Sequence, residues 1–529
     1  MKKIWIFGSS IIITFIIIFI FSLKNYNSTI IASICSEDEL SKMKQNLFYD
    51  VELEVQLLFD GYEIPYDVSN NTYYLPVTNE FSMYEEKIHL LDSTQKLFWE
   101  EDAYMLKIDS AVSENHAFTI YIANDEHYKE SSIVFTRLPM MSLNYVEDPI
   151  GIVNCRMDLF DPISKNGQLV ITRSYAYQEL RGQTSRQFPK PNYNLNLYTD
   201  KFAPNDESLL GMREDDDWKL NALYTDKSKV REMVATTLWS DISNSTASPY
   251  DKGFQMQYME LMMDGQYRGI YGLMEQMDFK QLSLNKHQDI LYKGVSFITD
   301  ENRTQENLNL QTEYCGQMIK TGSQTLSEEL WKPFVEYLET MSYFSRADMK
   351  GTETSIYEYI DQHMNIENLL NTELYIQAIY GVDNAYKNQY VAAVLDDKGS
   401  YVLWKTPWDL NYCFGDVYDD ENDRLTSFSM ESYTKTMNKY MLTEQLFNIG
   451  NKEFDDCLQA QWRKLRNSIL NTEYVRELTT DYISLLNTSG AFEREQEKWP
   501  ESLETGSEKE MLKYFDLRLE FLDEHYLIK

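Results

Sequence analysis

The chain has 529 residues, enough for two to four domains with buried cores, and 43% of its residues are hydrophobic, as in ordinary globular proteins. Asp and Glu together number 84 against 49 for Lys and Arg, so the formal net charge is -35. This excess of negative charge excludes nucleic acid and anionic membrane surfaces as electrostatic partners.

The N-terminus carries a membrane signal. Lys2 and Lys3 precede residues 4–23, an uncharged run rich in Ile and Phe whose length matches the hydrocarbon core of a bilayer. The basic flank predicts a cytoplasmic N-terminus with the bulk of the chain outside the cell. No small-residue cleavage site follows at once, so we predict that residues 1–35 form an uncleaved signal anchor, a single-pass transmembrane helix, with a short linker. Cleavage of this segment would make the protein secreted.

Alternating hydrophobic residues predict a β-rich module after the anchor. The pattern predicts short strands at residues 51–57, 104–108, 118–123 and 132–136. Several short strands at this spacing favour a small all-β, sandwich-like domain over residues 36–149. A spacer or docking module is the simplest interpretation of its role.

A single glycine defines the next candidate segment, which runs from Arg181 and Gly182 to Ser185. A glycine lets the backbone approach a ligand closely, but a kinase-type loop has three glycines, so a plain β-turn fits these residues equally well. Lys190 lies in an extended stretch and is a candidate for a charged contact with a ligand. Lys293 is a rival candidate for a charged contact with a ligand.

Helical spacing of apolar residues predicts a helix over residues 229–243, where a kinase has its αC helix. Glu232 is the only Glu in this helix, but Arg231 fits the position better, so the glutamate partner of Lys190 stays unassigned. Strands predicted at residues 256–262 and 266–274 form a hairpin, and Glu275 follows its second strand. An exposed charge at a strand end is the alternative for Glu275.

Asp383 and Asn388 form the most informative motif of the chain. They follow a predicted helix at residues 365–380, which ends at a Gly381 C-cap, and Asp409 follows two predicted strands at residues 390–395 and 401–405. Phosphoryl transfer uses a carboxylate that orients the attacking hydroxyl and oxygen ligands for the metal on the phosphates. Asp383 suits the first role, while Asn388 and Asp409 suit the second. An acidic loop cluster or a structural calcium site fits the same residue types.

The distal half of the chain is predicted to be helical. Thr325 and Glu328 form a predicted capping box that opens one helix. Further helices are predicted at residues 452–470, 472–486 and 509–525. The five cysteines are widely spaced and favour single thiols over a disulfide framework.

Several blocks together resemble the CotH family, the spore coat protein H-like atypical protein kinases. The blocks occur in order at residues 179–185, 188–193, 217–222, 264–275 and 383–411, within a region of resemblance at about residues 172–415. The resemblance implies an α+β architecture with a divergent protein-kinase-like two-lobe domain over residues 150–529. Its N-lobe would span about residues 150–280 and its helical C-lobe about residues 281–529.

The resemblance also implies an activity. The protein would transfer the ATP γ-phosphoryl group to Ser or Thr hydroxyls of secreted, surface or spore-coat proteins, with Mg²⁺ or Mn²⁺. The implied roles are Asp383 in catalysis, Asn388 and Asp409 in metal binding, and the following in ATP binding: Arg181, Gly182, Ser185, Lys190 and Glu275. A catalytically inactive, pseudokinase-like structural or assembly protein of the cell surface or spore coat is the alternative. A cell-wall or glycan-binding protein is a third class.

Overall fold

The computed structural model shows an α+β architecture, as the sequence predicts. It describes residues 33–81, 88–100, 106–148, 150–165, 167–182, 184–298, 312–320, 322–344, 360–415, 434–501 and 507–527. The chain divides into two compact units. The first unit comprises Met1–Ala176, Met259–Gly269 and Leu486–Lys498, and the second comprises Tyr177–Tyr258, Ile270–Leu485 and Trp499–Lys529.

The strands and helices are numbered along the chain. The strands are β1 Ser33–Cys35, β2 Phe48–Tyr49, β3 Leu57–Phe59, β4 Tyr62–Glu63, β5 Tyr66–Asp67, β6 Thr72–Pro76, β7 Ile88–Leu90, β8 Lys96–Glu100, β9 Ala117–Ala123, β10 His127–Thr136, β11 Met140–Tyr145, β12 Cys155–Lys165, β13 Gln168–Arg181, β14 Asn192–Tyr198, β15 Glu207–Ser208, β16 Glu214–Asp215, β17 Asp217–Asn221, β18 Met256–Met263, β19 Gln266–Glu275, β20 Ile290–Gly294, β21 Glu313–Tyr314, β22 Gln317–Lys320, β23 Gln389–Leu395 and β24 Tyr401–Pro407. The helices are α1 Glu37–Asn46, α2 Ile108–Ser113, α3 Arg231–Asn244, α4 Lys332–Phe344, α5 Ile366–Ile379, α6 Thr434–Tyr440, α7 Leu442–Ile449, α8 Lys452–Arg466, α9 Thr472–Thr488, α10 Ala491–Lys498 and α11 Glu508–Leu527.

In the first unit, two sheets enclose one hydrophobic core. One sheet has the strand order β1-β8-β9-β10-β6-β5, with β2 also paired to β10, and the other has the order β4-β3-β7. Buried side chains from both sheets, among them Leu57, Leu90, Trp99 and Phe135, share this core. The larger sheet is mixed, because β1 pairs with β8 and β6 with β10 in parallel. The predicted strands at residues 118–123 and 132–136 are present as β9 and β10.

Two predicted strands of this unit differ from the structure. Residues 51–56 form a turn and an unpaired stretch, and β3 begins only at Leu57. The Asp50 carboxylate accepts a hydrogen bond from the Glu52 amide at 2.9 Å, and such local bonds compete with strand pairing. The strand predicted at residues 104–108 falls partly outside the described residues, and Ile108 begins α2 instead.

In the second unit, two groups of strands position the candidate site. Strand β17 pairs antiparallel with β14 and with the last residues of β19. A five-stranded antiparallel sheet has the order β21-β22-β20-β23-β24. Helix α5 is buried along its length, including its polar residues. One of these, Asn368, donates from its side chain to the Lys405 carbonyl on β24.

Most predicted helices of the second unit are present with small shifts at their ends, and two boundaries differ. The left-handed residue at the end of α5 is Tyr380, with φ 57°, and not Gly381. Gly381 is the next residue, and a Cβ atom added to it would lie 2.9 Å from the Asn384 Oδ1 atom. The predicted Thr325 capping box does not open a helix, since α4 begins at Lys332 after a 3-10 turn, with Pro333 in its first turn as proline geometry favours.

The predicted anchor at residues 4–23 lies outside the described residues. Within the part of the chain that the structure describes, every helix is too short or too polar to span a bilayer. All five cysteines are described, and each is a free thiol.

Candidate active site

Asp383 lies immediately after the buried helix α5. The helix starts with a side-chain cap, in which the Asn365 side chain accepts from the Asn368 amide at 2.9 Å, and ends at the left-handed Tyr380. Asp383 then opens a short 3-10 turn. Its carboxylate forms an ion pair with Lys387 Nζ at 2.8 Å. Burial raises the pKa of Asp383, the nearby Asp409 adds to the rise, and Lys387 opposes it.

The β23–β24 hairpin brings Asn388 and Asp409 together. Gln389 and Pro407 are paired at its open end, so the residues just beyond them meet. The Trp408 amide donates to the Asn388 carbonyl at 2.9 Å, and the Asn388 amide donates to the Gly294 carbonyl at 3.1 Å. The two oxygen-bearing side chains are therefore held on adjacent strands next to β20.

Asn388 and Asp409 both have left-handed backbones, with φ 53° and 58°. Asn and Asp tolerate this conformation better than most residues, yet it costs about 1–2 kcal/mol per residue. Asn384 supports both, because its buried side-chain amide donates to the Asn388 carbonyl at 2.9 Å and to the Trp408 carbonyl at 2.7 Å. Strain that the surroundings hold in place is typical of functional sites.

A cavity of about 570 Å³ in the second unit collects the predicted residues. Its walls include Asp383, Asn388 and Asp409, together with four residues from the predicted ATP-binding set: Arg181, Gly182, Ser185 and Lys190. Six cationic and four carboxylate side chains line this cavity, although the whole chain is strongly acidic. The arrangement thus concentrates positive charge beside the candidate metal ligands.

The loop after β13 requires its glycine. Gly182 has φ 96°, and a Cβ at this position would lie 1.9 Å from the Ser185 Oγ atom. The guanidinium of Arg181 lies 5.9 Å from the centre of the Trp408 ring. Its buried Nη1 atom has no hydrogen-bond partner among the described residues, so it can donate to a ligand.

Lys190 and Glu275 are both buried, and both bond to backbone groups. Lys190 is 1% exposed, and its Nζ donates to the Ile270 carbonyl at 2.5 Å. Glu275 is also buried, and its carboxylate accepts from the Arg213 amide at 3.1 Å and from the Gln255 amide at 2.8 Å. Among the described residues that line the cavity, the neighbouring Gln276 is present and Glu275 is not.

Three further lysines line the cavity. The sequence-based prediction gave Lys219 and Lys320 no role, and it named Lys293 only as a rival candidate for a contact with a ligand. Lys219 on β17 pairs with Asp217 at 2.5 Å, and burial lowers its pKa. Lys293 on β20 and Lys320 on β22 also line the cavity. The Asp-Trp-Lys block already contained Lys219, but Lys320 carries no sequence signal, because a lone lysine on a strand is usually solvated.

Helix α3 places Glu232 in the same cavity. Its carboxylate accepts from the Asn221 side chain at 2.8 Å, and the side chain is almost fully buried. Burial and the neighbouring Asp409 raise the pKa of Glu232 to about 8. The helix predicted at the αC position thus brings an acidic group to the cavity, with an amide partner in place of a lysine.

The residues present suit ATP phosphates and a divalent cation. Asp409 and Asn388 offer carboxylate and amide oxygens, which Mg²⁺ and Mn²⁺ prefer, and the unpartnered Arg181 Nη1 atom is a donor for phosphate. A second group of carboxylates, Asp206, Asp215 and Asp216, lies elsewhere in this unit. Within that group, Arg213 forms an ion pair with Asp215, and Lys280 forms one with Asp206.

Comparison with known proteins agrees with these features. A search of the curated proteins gave no match. The sequence profile of the family described as CotH kinase protein matches residues 179–522, which include every residue of the cavity described above. This chain therefore belongs to the CotH kinase family.

Proposed function

We propose that this protein is an ATP-dependent phosphotransferase that phosphorylates Ser or Thr hydroxyls of secreted, surface or spore-coat proteins. The observation that carries the proposal is the convergence of Asp383, Asn388 and Asp409 on one cation-lined cavity. Family membership supports a kinase-like activity. The signal predicted at residues 4–23 supports an extracytoplasmic site of action at the cell membrane.

In this proposal Asp383 orients the acceptor hydroxyl and receives its proton. The hydroxyl O–H bond breaks, the oxygen forms a bond to the γ-phosphorus, and the bridging oxygen of ADP leaves with its electron pair. The Lys387 ion pair favours the ionised form of Asp383 and so opposes the rise in pKa that burial causes. A general base of this kind contributes about 10²–10⁴-fold to the rate.

Asn388 and Asp409 would hold the divalent cation in this proposal. The bound cation would neutralise charge on the phosphates. The left-handed backbones of both residues and the bonds from Asn384 preorganise these oxygen ligands before any ligand binds. Preorganised groups reduce the reorganisation that binding and reaction require.

Transfer of label from γ-labelled ATP to a generic protein mixture tests the proposal. We expect transfer by the wild-type chain with Mg²⁺ or Mn²⁺, and its loss with a chelator or in Asp409→Asn. Asp397→Asn, in the exposed turn of the same hairpin, is the matched control and should transfer normally. Nucleotide binding without transfer would favour the pseudokinase alternative. Transfer unaffected by Asp409→Asn would overturn the site.

A further inference from the structure

The first unit contains a second cavity, with a volume of about 360 Å³. Helix α1 forms one wall of it through Glu39, Met43 and Leu47, and β8 and the turn between β9 and β10 form the other. Every residue of α1 stays at least partly exposed, so the helix does not pack closely on the strands. The fold therefore leaves an open cleft between α1 and the larger sheet.

The strands present one continuous face to this cleft. Leu97 of β8 lies in the hydrophobic core, so its neighbours Lys96 and Phe98 point to the opposite face, where they line the cleft. Strand pairing continues this face in one row across β8, β9, β10 and β2, which contains Lys96, Ala123, Tyr128 and Tyr49. The Tyr128 and Tyr49 rings are 5.5 Å apart, and Tyr49 is 57% exposed. The cleft thus opens onto an aromatic pair on the same face.

The cleft also offers hydrogen-bonding groups to a ligand. Lys96 and Asp125 are exposed, and within the described part of the chain the Lys96 amine and the Asp125 carboxylate bond to no other group. The Asn124 Oδ1 atom accepts from the amides of Glu126 and His127 at 2.9 and 2.7 Å, so the Asn124 side-chain nitrogen keeps its donors for a ligand. Donors and an acceptor are therefore available along one wall.

This combination suits a neutral oligosaccharide. The C–H groups on the flat side of a sugar ring pack on exposed aromatic rings, and the hydroxyls at its edge both donate and accept hydrogen bonds. The charged side chains of the cleft are two carboxylates, Glu39 and Asp125, and one amine, Lys96, so a strongly charged ligand is not favoured. The exposed apolar groups are few and separated by polar ones, which favours a sugar over an apolar protein surface.

The shape of the face favours an extended sugar chain. The row from Lys96 to Tyr49 crosses three strand spacings, or about 14 Å, so several sugar rings can lie along it. A flat, extended chain, such as β-1,4-linked hexoses form, matches a straight row better than a coiled chain does.

The position of this unit in the chain indicates where such a sugar would be met. The apolar run predicted to be an anchor ends at residue 23, and β1 begins at Ser33, so the connecting segment reaches at most about 35 Å. With that anchor in the membrane, the first unit would stay close to the outer membrane surface, where the polysaccharides of the cell envelope lie.

We propose that the cleft beneath α1 and the tyrosine pair form a binding site for a neutral, β-1,4-linked oligosaccharide chain, by which the first unit docks the protein on polysaccharide. Tyr128 and Tyr49 pack on the sugar rings, while Lys96, Asn124 and Asp125 bond to sugar hydroxyls. The site is independent of the proposed phosphotransferase activity, because the two cavities share no lining residue.

Calorimetric titration of the full-length chain, in detergent, with chitohexaose, cellohexaose and maltohexaose tests the site. We expect at least one of the two β-1,4-linked hexamers to bind, and maltohexaose, whose α-1,4 linkage coils the chain, to bind much more weakly. Tyr49→Ala should weaken binding roughly 3-fold to 10-fold, and Asp125→Ala should weaken it roughly 10-fold. Tyr49→Phe keeps the ring and should retain most of the affinity.

Phe48→Ala is the matched control. Phe48 is the other residue of β2, is also exposed, and points to the opposite face, where its ring packs against His127. This variant should change the affinity less than about twofold, and circular dichroism with the melting temperature establishes that each variant is folded. Transfer of label from γ-labelled ATP to the generic protein mixture should be the same in Tyr49→Ala as in wild type.

Three results would overturn the site. The first is that neither β-1,4-linked hexamer binds, whether or not the protein transfers phosphate. The second is binding that Tyr49→Ala and Asp125→Ala leave unchanged, because the sugar would then lie elsewhere. The third is a protein partner whose binding requires Tyr49 while both hexamers fail to bind, because the face would then serve a protein and not a sugar. Sugar binding without any phosphate transfer would support the site and leave only the kinase proposal contradicted.

Discussion

At the scale of single residues, the charge of Lys190 favours folding, whereas the charge of Lys293 opposes it. Lys190 is buried, and its Nζ donates to the Ile270 carbonyl, so its charge holds the segment before β14 against β19. Lys293 is partly buried beside other cations, so its charge opposes folding.

Lys190→Met should lower stability more than it lowers affinity. Loss of this buried hydrogen bond to a charged donor should cost about 1–3 kcal/mol in the free energy of unfolding. Urea denaturation should show this decrease, while the Kd for ATP stays within a few-fold. A Lys190→Met protein with unchanged stability and much weaker ATP binding would show that Lys190 is the phosphate lysine after all.

Some residues of the candidate site were identifiable from the sequence, and others were not. Asp383, Asn388 and Asp409 were identifiable because their spacing reflects a helix, a turn and a hairpin of fixed length. Lys320 was not identifiable, because its place in the cavity depends on the pairing of β22 with β20. That strand is distant in the sequence. Lys190 and Glu275 were placed by analogy of position, whereas local hydrogen bonds determine where their charged atoms point.

At the scale of elements, a buried ion pair joins α5 to β24. The Lys405 amine lies 2.6 Å from the Glu373 carboxylate, and Thr443 donates to the second carboxylate oxygen from its amide and its hydroxyl. The Asn368 side chain bonds to the backbone of Lys405 in both directions. These contacts fix the strand that leads to Asp409.

Removal of one partner of this pair should be strongly destabilising. Lys405→Met leaves an uncompensated buried carboxylate, so we expect a loss of about 3–5 kcal/mol in the free energy of unfolding. The double variant Glu373→Gln, Lys405→Met should recover much of this loss. Lys464→Met, which breaks an exposed pair with Glu367, is the control and should cost at most about 1 kcal/mol. Equal effects of the two lysine variants in denaturant titrations would refute the role of the buried pair.

Asp251 should make stability depend on pH. Its side chain is fully buried, faces Asn368, Thr246, Glu367 and Lys252, and has a pKa raised by burial to about 6. Because the pKa in the folded state exceeds the unfolded value of about 3.9, folding favours the protonated acid. This contribution is complete below about pH 4 and is lost as pH rises through 6.

Asp251→Asn removes this titration and keeps the shape of the side chain. We expect the variant to gain stability over wild type as pH rises from 4 to 7, by up to roughly 3 kcal/mol. The difference between the two free energies of unfolding, measured in urea at each pH, isolates Asp251 from other carboxylates. A difference that does not change with pH would contradict the assignment.

Helices and hairpins of the second unit were the elements best predicted from sequence. Helix α5 carries a strong apolar period and an Asn cap, and β23 and β24 flank a turn with a glycine, so local signals agree with the fold. The pattern at residues 51–57 alternates as clearly, yet the chain turns at residues 51–52, where the Glu52 amide donates to the Asp50 carboxylate. Sheet order, including the parallel pairs of the first unit, depends on contacts that a single sequence does not show.

At the scale of the whole molecule, strand pairs connect residues on the two sides of the predicted domain boundary at residue 149. Strand β11 ends before this boundary and pairs with β12 and β18, which follow it. Leu169 and Ile171 also pack on the core of the first unit. The first unit thus needs chain from both sides of the boundary.

A chain that starts at residue 150 should consequently fold poorly. It lacks β11, so the backbone edges of β12 and β18 would be left unpaired, which promotes aggregation. We expect such a chain to be largely insoluble, whereas a chain that starts at Ser33 keeps β1 and β11 and should be soluble. A monomeric, cooperatively unfolding protein from residue 150 onward, by size-exclusion chromatography and thermal melting, would contradict this expectation.

The central claim is that one cavity of the second unit performs phosphoryl transfer with Asp383 as its base. The most direct measurement is the rate of label transfer from γ-labelled ATP by wild type and Asp383→Asn, with ATP affinity determined on the same samples. We predict a decrease in rate of about 10²-fold or more, with ATP affinity changed only a few-fold. Transfer at the wild-type rate by a folded Asp383→Asn protein would contradict the claim.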